Sequence, residues 1–595
     1  MHILINNKEA VLKKGVSFDY IAENRFFTGA DSYTLSITFP LKGCQKNLDI
    51  FGHINRKDNN LDRLLMDCEI YDRGFHVVGA VNIVEISELE VKTQFLQGKS
   101  ASNYASDFDK IYINEMQIGQ ARDMGHFDTR WHFATYGDQR YTGFVSLPWV
   151  NNTSGNIQNK LIYSSIAWGY YYSNVEEDAP LSVQYYLIYL LERIFQECRY
   201  DYDISALINS PYRFLVIFNT FPYAWEIDEY ALALPHWTLS EFLEQIELFT
   251  NGMFEIDQKL QKVTFSFNVD VLKNQKQVNI ENVLDEYQVE ISDKTENTYQ
   301  EQMNIKYAED DHQMQNFYSC PWASAQMNTI SYSSFSYLKS VVEPYLQVEE
   351  SIANTRLFKS MLYAKDIDTY FVLKCYMMRT NTETGKKTYH MRLQPVNVYG
   401  PRTVDKDENA KVRELGIVPV CIDHCNKTIG DCVFLECGTY GETEEGDENQ
   451  TMSANSVLGG KKEQKKEFFN KLYVAFWNHD VHVQNVSNNN LYPLPWIDNF
   501  WVDQYNNIYT SNMQGYDDFS MRLSGNLINH MWEAKNKIDQ SKKFSFSFLV
   551  ENGNIPDVKS IFYIHGKRYL AEKITATFTE NGMSQLVKMV AYRII

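Results

Sequence analysis

The residues best suited to metal chemistry are cysteines between positions 421 and 437. Cys421, Cys425, Cys432 and Cys437 lie there together with His424, and thiolate and imidazole groups are good zinc ligands. Structural zinc sites commonly use cysteine pairs with two intervening residues, whereas three, six and four residues separate these cysteines. The spacing therefore favours small buried thiols, and metal binding by the Cys421–Cys437 cluster stays the alternative.

A second group of potential ligands is His479, Asp480 and His482. They follow the apolar run Tyr473–Trp477, which predicts a strand. If the strand continues, Asp480 and His482 share a face and His479 points to the other one. Two ligands on one face do not make a metal site, so we predict none here.

Neighbouring acidic residues occur at two places in the middle of the sequence. Asp310, Asp311 and His312 could form a carboxylate–imidazole pair, and Asp285 with Glu286 could serve glycoside cleavage. Asp310–His312 lie in a polar stretch that predicts a solvated turn. With 76 acidic residues in the chain, such neighbours arise by chance, and we predict no catalytic residue.

Sequence motifs of common enzyme classes are absent. The chain has no Gly-x-Ser-x-Gly, His-Glu-x-x-His or Gly-x-x-x-x-Gly-Lys-[Ser/Thr] motif. Gly438, Gly441 and Gly446 lie in an acidic stretch, where negative charge repels phosphate. We therefore predict no cofactor and no cofactor-binding residue.

The aromatic cluster from Trp168 to Tyr172 (Trp-Gly-Tyr-Tyr-Tyr) could stack against a sugar. Aromatic residues are also enriched in protein interfaces. Packing in a core or between subunits is the favoured interpretation.

Composition restricts the class of protein. The chain has 595 residues, which suggests three to five compact units. Its 40 Tyr, 35 Phe and 10 Trp against 14 Pro favour strands. A formal net charge of -20 disfavours specific nucleic-acid binding. We see no signal peptide and no apolar run long enough for a membrane helix, and nine cysteines are compatible with folding in a reducing cytoplasm.

The elements that position these residues are mainly strands. Residues 1–118 predict an N-terminal β domain, because a hairpin turns at Asn6-Asn7 and apolar residues alternate from Tyr33 to Phe39. Residues 119–178 form an aromatic-rich segment of short strands and loops. The predicted fold class is mainly β with a few helices (α+β), in several domains.

Residues 179–270 predict a module of helices and a hairpin. Pro180, with Asp178 in capping range, predicts the start of a first helix, whose apolar stripe runs from Leu187 to Cys198. Thr238-Leu-Ser-Glu241 has the spacing of a capping box. Asn251-Gly252 predicts the end of that second helix, and two strands follow up to Phe267.

The remaining sequence predicts three further units. Residues 271–437 form a β domain with long polar connections. Residues 438–467 pass from acidic to basic with few apolar anchors, which predicts a mobile loop. Residues 468–595 form a C-terminal β domain that ends in an antiparallel meander.

Two segments resemble those of tailed-bacteriophage (prophage) tail-hub or baseplate-hub proteins. One is the helix and hairpin from Thr238 to Phe267, with Met253-Phe-Glu-Ile-Asp257 followed by Val263-Thr-Phe265. The other is Ile564-His-Gly-Lys-Arg-Tyr-Leu-Ala-Glu-Lys-Ile574 with the later Asn581-Gly582. The stretches 3–15 and 111–115 look like prophage structural proteins of gut bacteria. The resemblance is strongest over 180–310 and 540–595.

The resemblance implies a homotrimer in which two β-barrel-like hub domains per subunit form a ring with a central channel. Such a hub connects the tail tube to the tail tip or baseplate, and the genome passes through the channel. It implies a structural virion protein of the tail, assembled in the cytoplasm of the bacterial host, and no catalytic residue is carried over. The length before residue 180 and the 438–467 loop depart from a minimal hub.

Two other functions remain open from the sequence. A virion-associated hydrolase of glycan or peptidoglycan would need two placed carboxylates or a metal in an aromatic cleft. A receptor-binding tail tip would present the Trp-rich 119–175 segment or the acidic loop to the host.

Overall fold

The structure is a computed structural model, and it describes only part of the 595 residues. The described residues are 1–28, 33–57, 65–97, 108–119, 150–152, 157–158, 161–164, 169–172, 184–219, 231, 234–257, 260–273, 276–284, 286–291, 305–308, 328–349, 352, 356–367, 369–396, 413–423, 432–435, 441–443, 465–467, 471–484, 491–496, 500–502, 508–510, 521 and 538–595. No helix within these ranges combines the length and the apolar character that crossing a bilayer requires.

The N-terminal part is built from antiparallel strands, as predicted. Asn6 and Asn7 have φ values of 48° and 62°, the left-handed pair that a tight hairpin turn needs. The elements are β1 (His2–Ile5), β2 (Lys8–Ala10), β3 (Phe18–Glu23), α1 (Arg25–Thr28), β4 (Tyr33–Pro40), α2 (Gln45–Ile50), β5 (Leu65–Asp72), β6 (Phe75–Ile86) and β7 (Glu90–Leu96).

Residues 150–273 contain the helical module. The elements of this range are β8 (Val150–Asn152), β9 (Ile157–Gln158), β10 (Leu161–Ser164), β11 (Gly169–Tyr172), β12 (Tyr185–Tyr186), α3 (Leu187–Glu197), β13 (Asp201–Asp203), α4 (Ser205–Ile208), β14 (Leu215–Phe218), α5 (Leu239–Thr250), β15 (Gly252–Asp257) and β16 (Lys262–Phe267), with 3₁₀ turns at Pro211–Phe214 and Asn268–Lys273. A further 3₁₀ turn, Ile113–Glu115, precedes this range.

The second helix of the prediction is confirmed in detail. In α5 the Thr238 side chain accepts from the Glu241 N–H, and the Glu241 carboxylate accepts from the Thr238 N–H. Asn251 ends the helix in the left-handed conformation, and the predicted hairpin β15–β16 follows.

The predicted start of the first helix is wrong. The helix begins at Leu187, because Tyr185 and Tyr186 pair with Ile217 and Val216 as a strand. Both tyrosines are buried, so sheet pairing and ring burial keep them extended where Pro180 predicted helix. Pro180 itself lies outside the described residues.

Residues 277–435 contain strands that pair with other parts of the chain and strands that form a sheet of their own. The elements are β17 (Gln277–Asn279), β18 (Gln288–Ile291), β19 (Ile305–Tyr307), β20 (Asn328–Tyr332), α6 (Phe335–Val342), β21 (Gln347–Glu349), β22 (Ser360–Ala364), β23 (Thr369–Thr380), β24 (Lys387–Val396), β25 (Arg413–Leu415), β26 (Ile417–Pro419), β27 (Cys421–Asp423) and β28 (Cys432–Leu435), with 3₁₀ turns at Glu343–Tyr345 and Arg356–Lys359. Strands β20 to β24 form one sheet, in the order β20-β22-β23-β24-β21, and with α6 they enclose a core of their own.

The C-terminal part contains four strands of twelve or thirteen residues together with shorter ones. The elements are β29 (Gly441–Thr443), β30 (Lys465–Glu467), β31 (Leu472–Gln484), β32 (Leu491–Trp496), β33 (Phe500–Val502), β34 (Ile508–Thr510), β35 (Ile538–Leu549), β36 (Ile561–Ile564), β37 (Lys567–Thr579) and β38 (Gly582–Ile594). Strands β36, β37 and β38 form the predicted antiparallel meander.

The two ends of the chain share one sheet. Strand β3 pairs with β37, from Phe18 opposite Phe578 to Glu23 opposite Lys573. In the described part of the chain this sheet has thirteen strands, in the order β18-β35-β38-β37-β3-β4-β7-β6-β5-β1-β2; β36 pairs with β37, and β17 pairs with β36. The segments that we predicted as N-terminal and C-terminal domains therefore share a core, while the proposed domain boundaries stay predictions.

The helical module has a second core that also receives the C-terminal strands. Helices α3 and α5 pack beside the sheet β12-β14-β31-β26, with Leu191, Phe195 and Phe242 fully buried. Ile561 belongs to the same core. The fold class is confirmed as mainly β with several sheets. Among the described strands no sheet closes on itself, since β2 and β18 end the largest one.

Candidate functional site

The cysteine cluster is placed in part. Strands β27 and β28 are antiparallel neighbours, with Cys421 opposite Phe434 and Cys432 opposite Asp423. Cys425, Cys437 and His424 lie outside the described residues. No three His, Cys, Asp or Glu side chains come together in the described part of the chain, and zinc binding by the whole cluster stays an untested alternative.

His479, Asp480 and His482 lie on β31, which continues through them as the prediction required. The pairing with β32 is irregular between Trp477 and His482. A bulge of this kind interrupts strict alternation, so the expectation that Asp480 and His482 share a face has no support from the register.

The other sequence candidates fall mostly outside the described residues. This applies to Asp310, Asp311, His312, Asp285, Trp168, Gly438 and Gly446. Glu286 is exposed just before β18. The tyrosines up to Tyr172 form β11, which pairs with β10, and Gly441 begins β29, where Glu442 lies opposite Lys466 of β30. Of these candidates, the ones inside the described residues lie on separate strands or next to them: Glu286 before β18, the tyrosines on β11 and Gly441 on β29.

Two of the free thiols in the described residues, those of Cys68 and Cys198, are poor nucleophiles. Cys68 is buried and Cys198 is half-buried. Burial, with the neighbouring Glu197 charge, raises the pKa of Cys198 to about 11, and burial raises the pKa of Cys68 well above its usual range. Both thiols stay protonated at neutral pH, and a thiol attacks as its thiolate.

A groove of about 890 Å³ lies where three distant segments meet, and no sequence motif indicated it. Its walls are the hairpin β15–β16, the ends of β3, β6 and β7, and the loop from Gly553 to Lys559. Phe75, Glu255, Ile256 and Lys559 are among the residues that line it.

The groove is held open by contacts between its walls. Lys559 forms an ion pair with Glu255, which joins the C-terminal loop to β15. On the floor, the Gly74 N–H donates to the Asn552 carbonyl oxygen at 2.7 Å. A Cβ at Gly74 would collide with the Asn554 side chain. The walls thus mix buried apolar residues with solvated charges, which suits binding of a polypeptide surface more than catalysis.

A buried carboxylate lies behind this groove. Asp72 is 6% exposed. It accepts from the Met583 N–H at 2.9 Å and pairs with the Arg73 guanidinium at 3.0 Å and the Met1 ammonium at 3.4 Å. Burial alone would raise the pKa of Asp72, but these partners hold it below its usual value. Each partner satisfies the charge, so Asp72 has a structural role.

The open end of the large sheet is the second surface that sequence analysis did not single out. All four residues of β18 are exposed, and Val289 and Ile291 are among the exposed large apolar residues of the chain. The sheet order shows that β18 is an edge strand among the described strands. The exposed edge of β18 is therefore suited to pairing with a further strand.

Comparison with known proteins does not assign the chain to a family. No protein-family model matches the chain, and no curated protein matches it. A structural similarity connects it to the crystal structure of the 43 kDa tail protein of prophage MuSo2 from Shewanella oneidensis. The alignment covers 99% of this chain and 96% of that chain, at 6% identity and a TM-score of 0.31. A score of this size does not establish a shared fold.

Proposed function

We propose that the chain is a structural protein of a bacteriophage tail. The observation that carries the proposal is the contact between the two segments that resemble hub proteins. Lys559 of the C-terminal region pairs with Glu255 of the hairpin, and Ile561 lies in the same core as Phe254. Segments about 300 residues apart in sequence thus form one unit, as expected if they belong to one functional module.

The finer role proposed is that of a tail hub. In this role the chain forms a homotrimeric ring with β-barrel-like domains and a central channel, and it connects the tail tube to the tail tip or baseplate. The net charge of -20 supports an acidic channel that does not retain DNA during passage. The chain would then be part of the virion tail and be assembled in the host cytoplasm.

A role without chemistry is proposed for the same chain. Cys68 and Cys198 are protonated at neutral pH, and the buried Asp72 is saturated by its partners. A general acid or base needs a group within reach of substrate and a pKa near the working pH. None of these three groups meets that condition.

The test is imaging of the purified full-length chain by electron microscopy, together with its mass in solution. A ring with three-fold symmetry and a central opening supports the hub. A single compact particle without an opening contradicts it. Zymography on cell-wall gels tests the competing hydrolase function, and clearing by the wild-type protein would contradict a purely structural role.

A further inference from the structure

The outer edge of β18 offers main-chain groups to a further strand. The stretches Asn282–Leu284 and Gln288–Ile291 both run antiparallel to β35. The Leu549 N–H donates to the Asn282 carbonyl oxygen at 3.0 Å, and the Leu284 N–H donates to the Ser547 carbonyl oxygen at 2.8 Å. Among the described strands, none lies on the other side of β18. An exposed edge of this kind is a template for strand addition.

The opposite end of the same sheet is protected. Strand β2 has three residues, and the chain after it is bonded to a side chain of α2. The Val11 N–H donates to the Asn47 Oδ1 atom at 2.8 Å, and the Asn47 Nδ2 atom donates to the Val11 carbonyl oxygen at 2.8 Å. A short edge covered by a helix is a poor template, so β18 is the end suited to association.

The exposed apolar side chains of β18 continue the face of the core. Val289 lies opposite Phe544, and the Tyr287 ring centroid is 6.0 Å from that of Phe546. Exposure along this face rises from 3% at Phe546 to 39% at Val289 and 66% at Ile291. The apolar face that packs in the core therefore continues onto the edge strand, where it is exposed to solvent. An exposed apolar patch of this kind is expected where a partner chain covers it.

The edge sequence is complementary to itself. When two copies run antiparallel about Val289, Tyr287 faces the partner's Ile291 and Gln288 faces the partner's Glu290. Aromatic residues pair well with β-branched ones across strands, and the Gln288 amide can donate to the carboxylate. Glu290 also lies opposite Lys543 within its own chain, and between Tyr287 and Ile291 this register places no like charges directly opposite each other.

We propose that β18 is a two-fold association site for a second copy of this chain. The two edges pair antiparallel about Val289, and the thirteen-stranded sheets of two subunits become continuous. The contact is isologous, because the same edge serves both subunits. This contact does not depend on the proposed hub ring, because a two-fold contact doubles the number of copies in any other assembly that the chain forms.

The first experiment measures mass in solution by light scattering across a concentration series. The wild type should contain an even number of copies at high concentration, and Val289→Lys should halve its mass. Ile86→Lys is the matched control, because Ile86 is 41% exposed on β6, away from this edge, and should leave the mass unchanged. Equal thermal melting of both variants and the wild type at a low concentration, where the two-fold contact is dissociated, shows that folding is intact.

A second pair of variants tests the register. Gln288→Glu places a carboxylate opposite Glu290 of the partner subunit and should weaken association about threefold to tenfold. Gln288→Lys places an opposite charge there and should strengthen it by a similar factor. An odd number of copies at every concentration, or a Val289→Lys mass equal to that of the wild type, overturns the proposal. Equal association of the two Gln288 variants overturns the register.

Discussion

Asp72 and Met583 join the two ends of the chain through one hydrogen bond. The Asp72 carboxylate, at the end of β5, accepts from the Met583 N–H of β38 at 2.9 Å. The Arg73 guanidinium adds a second hydrogen bond to the same residue, because it donates to the Met583 carbonyl oxygen at 2.7 Å. A carboxylate buried with several donors depends on its charge, so this bond links the ionisation of Asp72 to the stability of the shared sheet.

Replacing Asp72 should destabilise the protein mainly at neutral pH. Asp72→Asn removes the charge that Met1, Arg73 and Met583 satisfy, at a cost of about 2 kcal/mol in the free energy of unfolding. The folded pKa lies below the unfolded value of about 3.9. The stabilisation is thus present above the unfolded pKa and is lost as pH falls through the folded pKa.

Denaturant unfolding at a series of pH values from neutral to acidic measures this effect. The free energy of unfolding should fall less between neutral and acidic pH in Asp72→Asn than in the wild type, because the variant lacks the Asp72 carboxylate. Glu88→Gln is the control, since Glu88 is exposed in the β6–β7 turn and should change neither stability nor its pH dependence. Equal pH profiles for Asp72→Asn and the wild type would refute the assignment.

Gly252 and Phe265 should be energetically coupled. A Cβ at Gly252 would collide with the Phe265 ring, which lies across the hairpin β15–β16. Gly252→Ala should therefore destabilise the protein by about 1–3 kcal/mol. Phe265→Leu removes the ring and leaves space, so the double variant should lose less than the sum of the single variants. Calorimetric melting of the four proteins checks this, and strict additivity would contradict it.

The capping box of α5 should make a measurable contribution. Thr238→Ala removes the acceptor that holds the Glu241 N–H at 3.2 Å and should lower the free energy of unfolding by about 1 kcal/mol. Thr238→Ser keeps a hydroxyl in the same position and should stay within a few tenths of the wild type. Chemical denaturation of both variants separates the cap from other effects of residue 238. A loss as large in the serine variant would show that the methyl group matters instead.

Cys198 should react with alkylating reagents in a strongly pH-dependent way. Because burial raises its pKa to about 11, its thiolate fraction should grow about tenfold per pH unit through the neutral and mildly alkaline range. Brief iodoacetamide pulses followed by peptide mass spectrometry measure the rate at each pH. Cys68, which is 1% exposed, should stay unlabelled until the protein unfolds. A Cys198 rate that levels off near pH 8.5, the usual thiol pKa, would contradict the predicted environment.

Local elements were predictable because their signals are local. The capping box at Thr238 and Glu241 and the stop at Asn251 mark α5 to the residue, since each uses groups within one helical turn. The hairpin turn at Asn6 and Asn7 follows from the left-handed preference of asparagine. The start of α3 was mispredicted, because the pairing of Tyr185 with Ile217 overrides the local signal at Pro180.

The groove and the exposed edge of β18 could not be predicted in the same way. The groove beside Lys559 and Glu255 exists only because segments far apart in sequence approach each other. The place of β18 at the end of the sheet was not predictable from the sequence either. Edge position depends on which strands remain without a neighbour after all others have paired, and no local pattern records that.

The sequence by itself determined a mainly β chain, the limits of α5, the β15–β16 hairpin and the closing meander, because backbone preference and apolar period act over a few residues. Only the tertiary structure decided that β3 joins β37, that Asp72 binds Met583, and that β18 is left at an open edge. The physical reason is that pairing between distant strands is selected by the burial of whole faces, and many registers satisfy the same alternating pattern until the complete core is assembled.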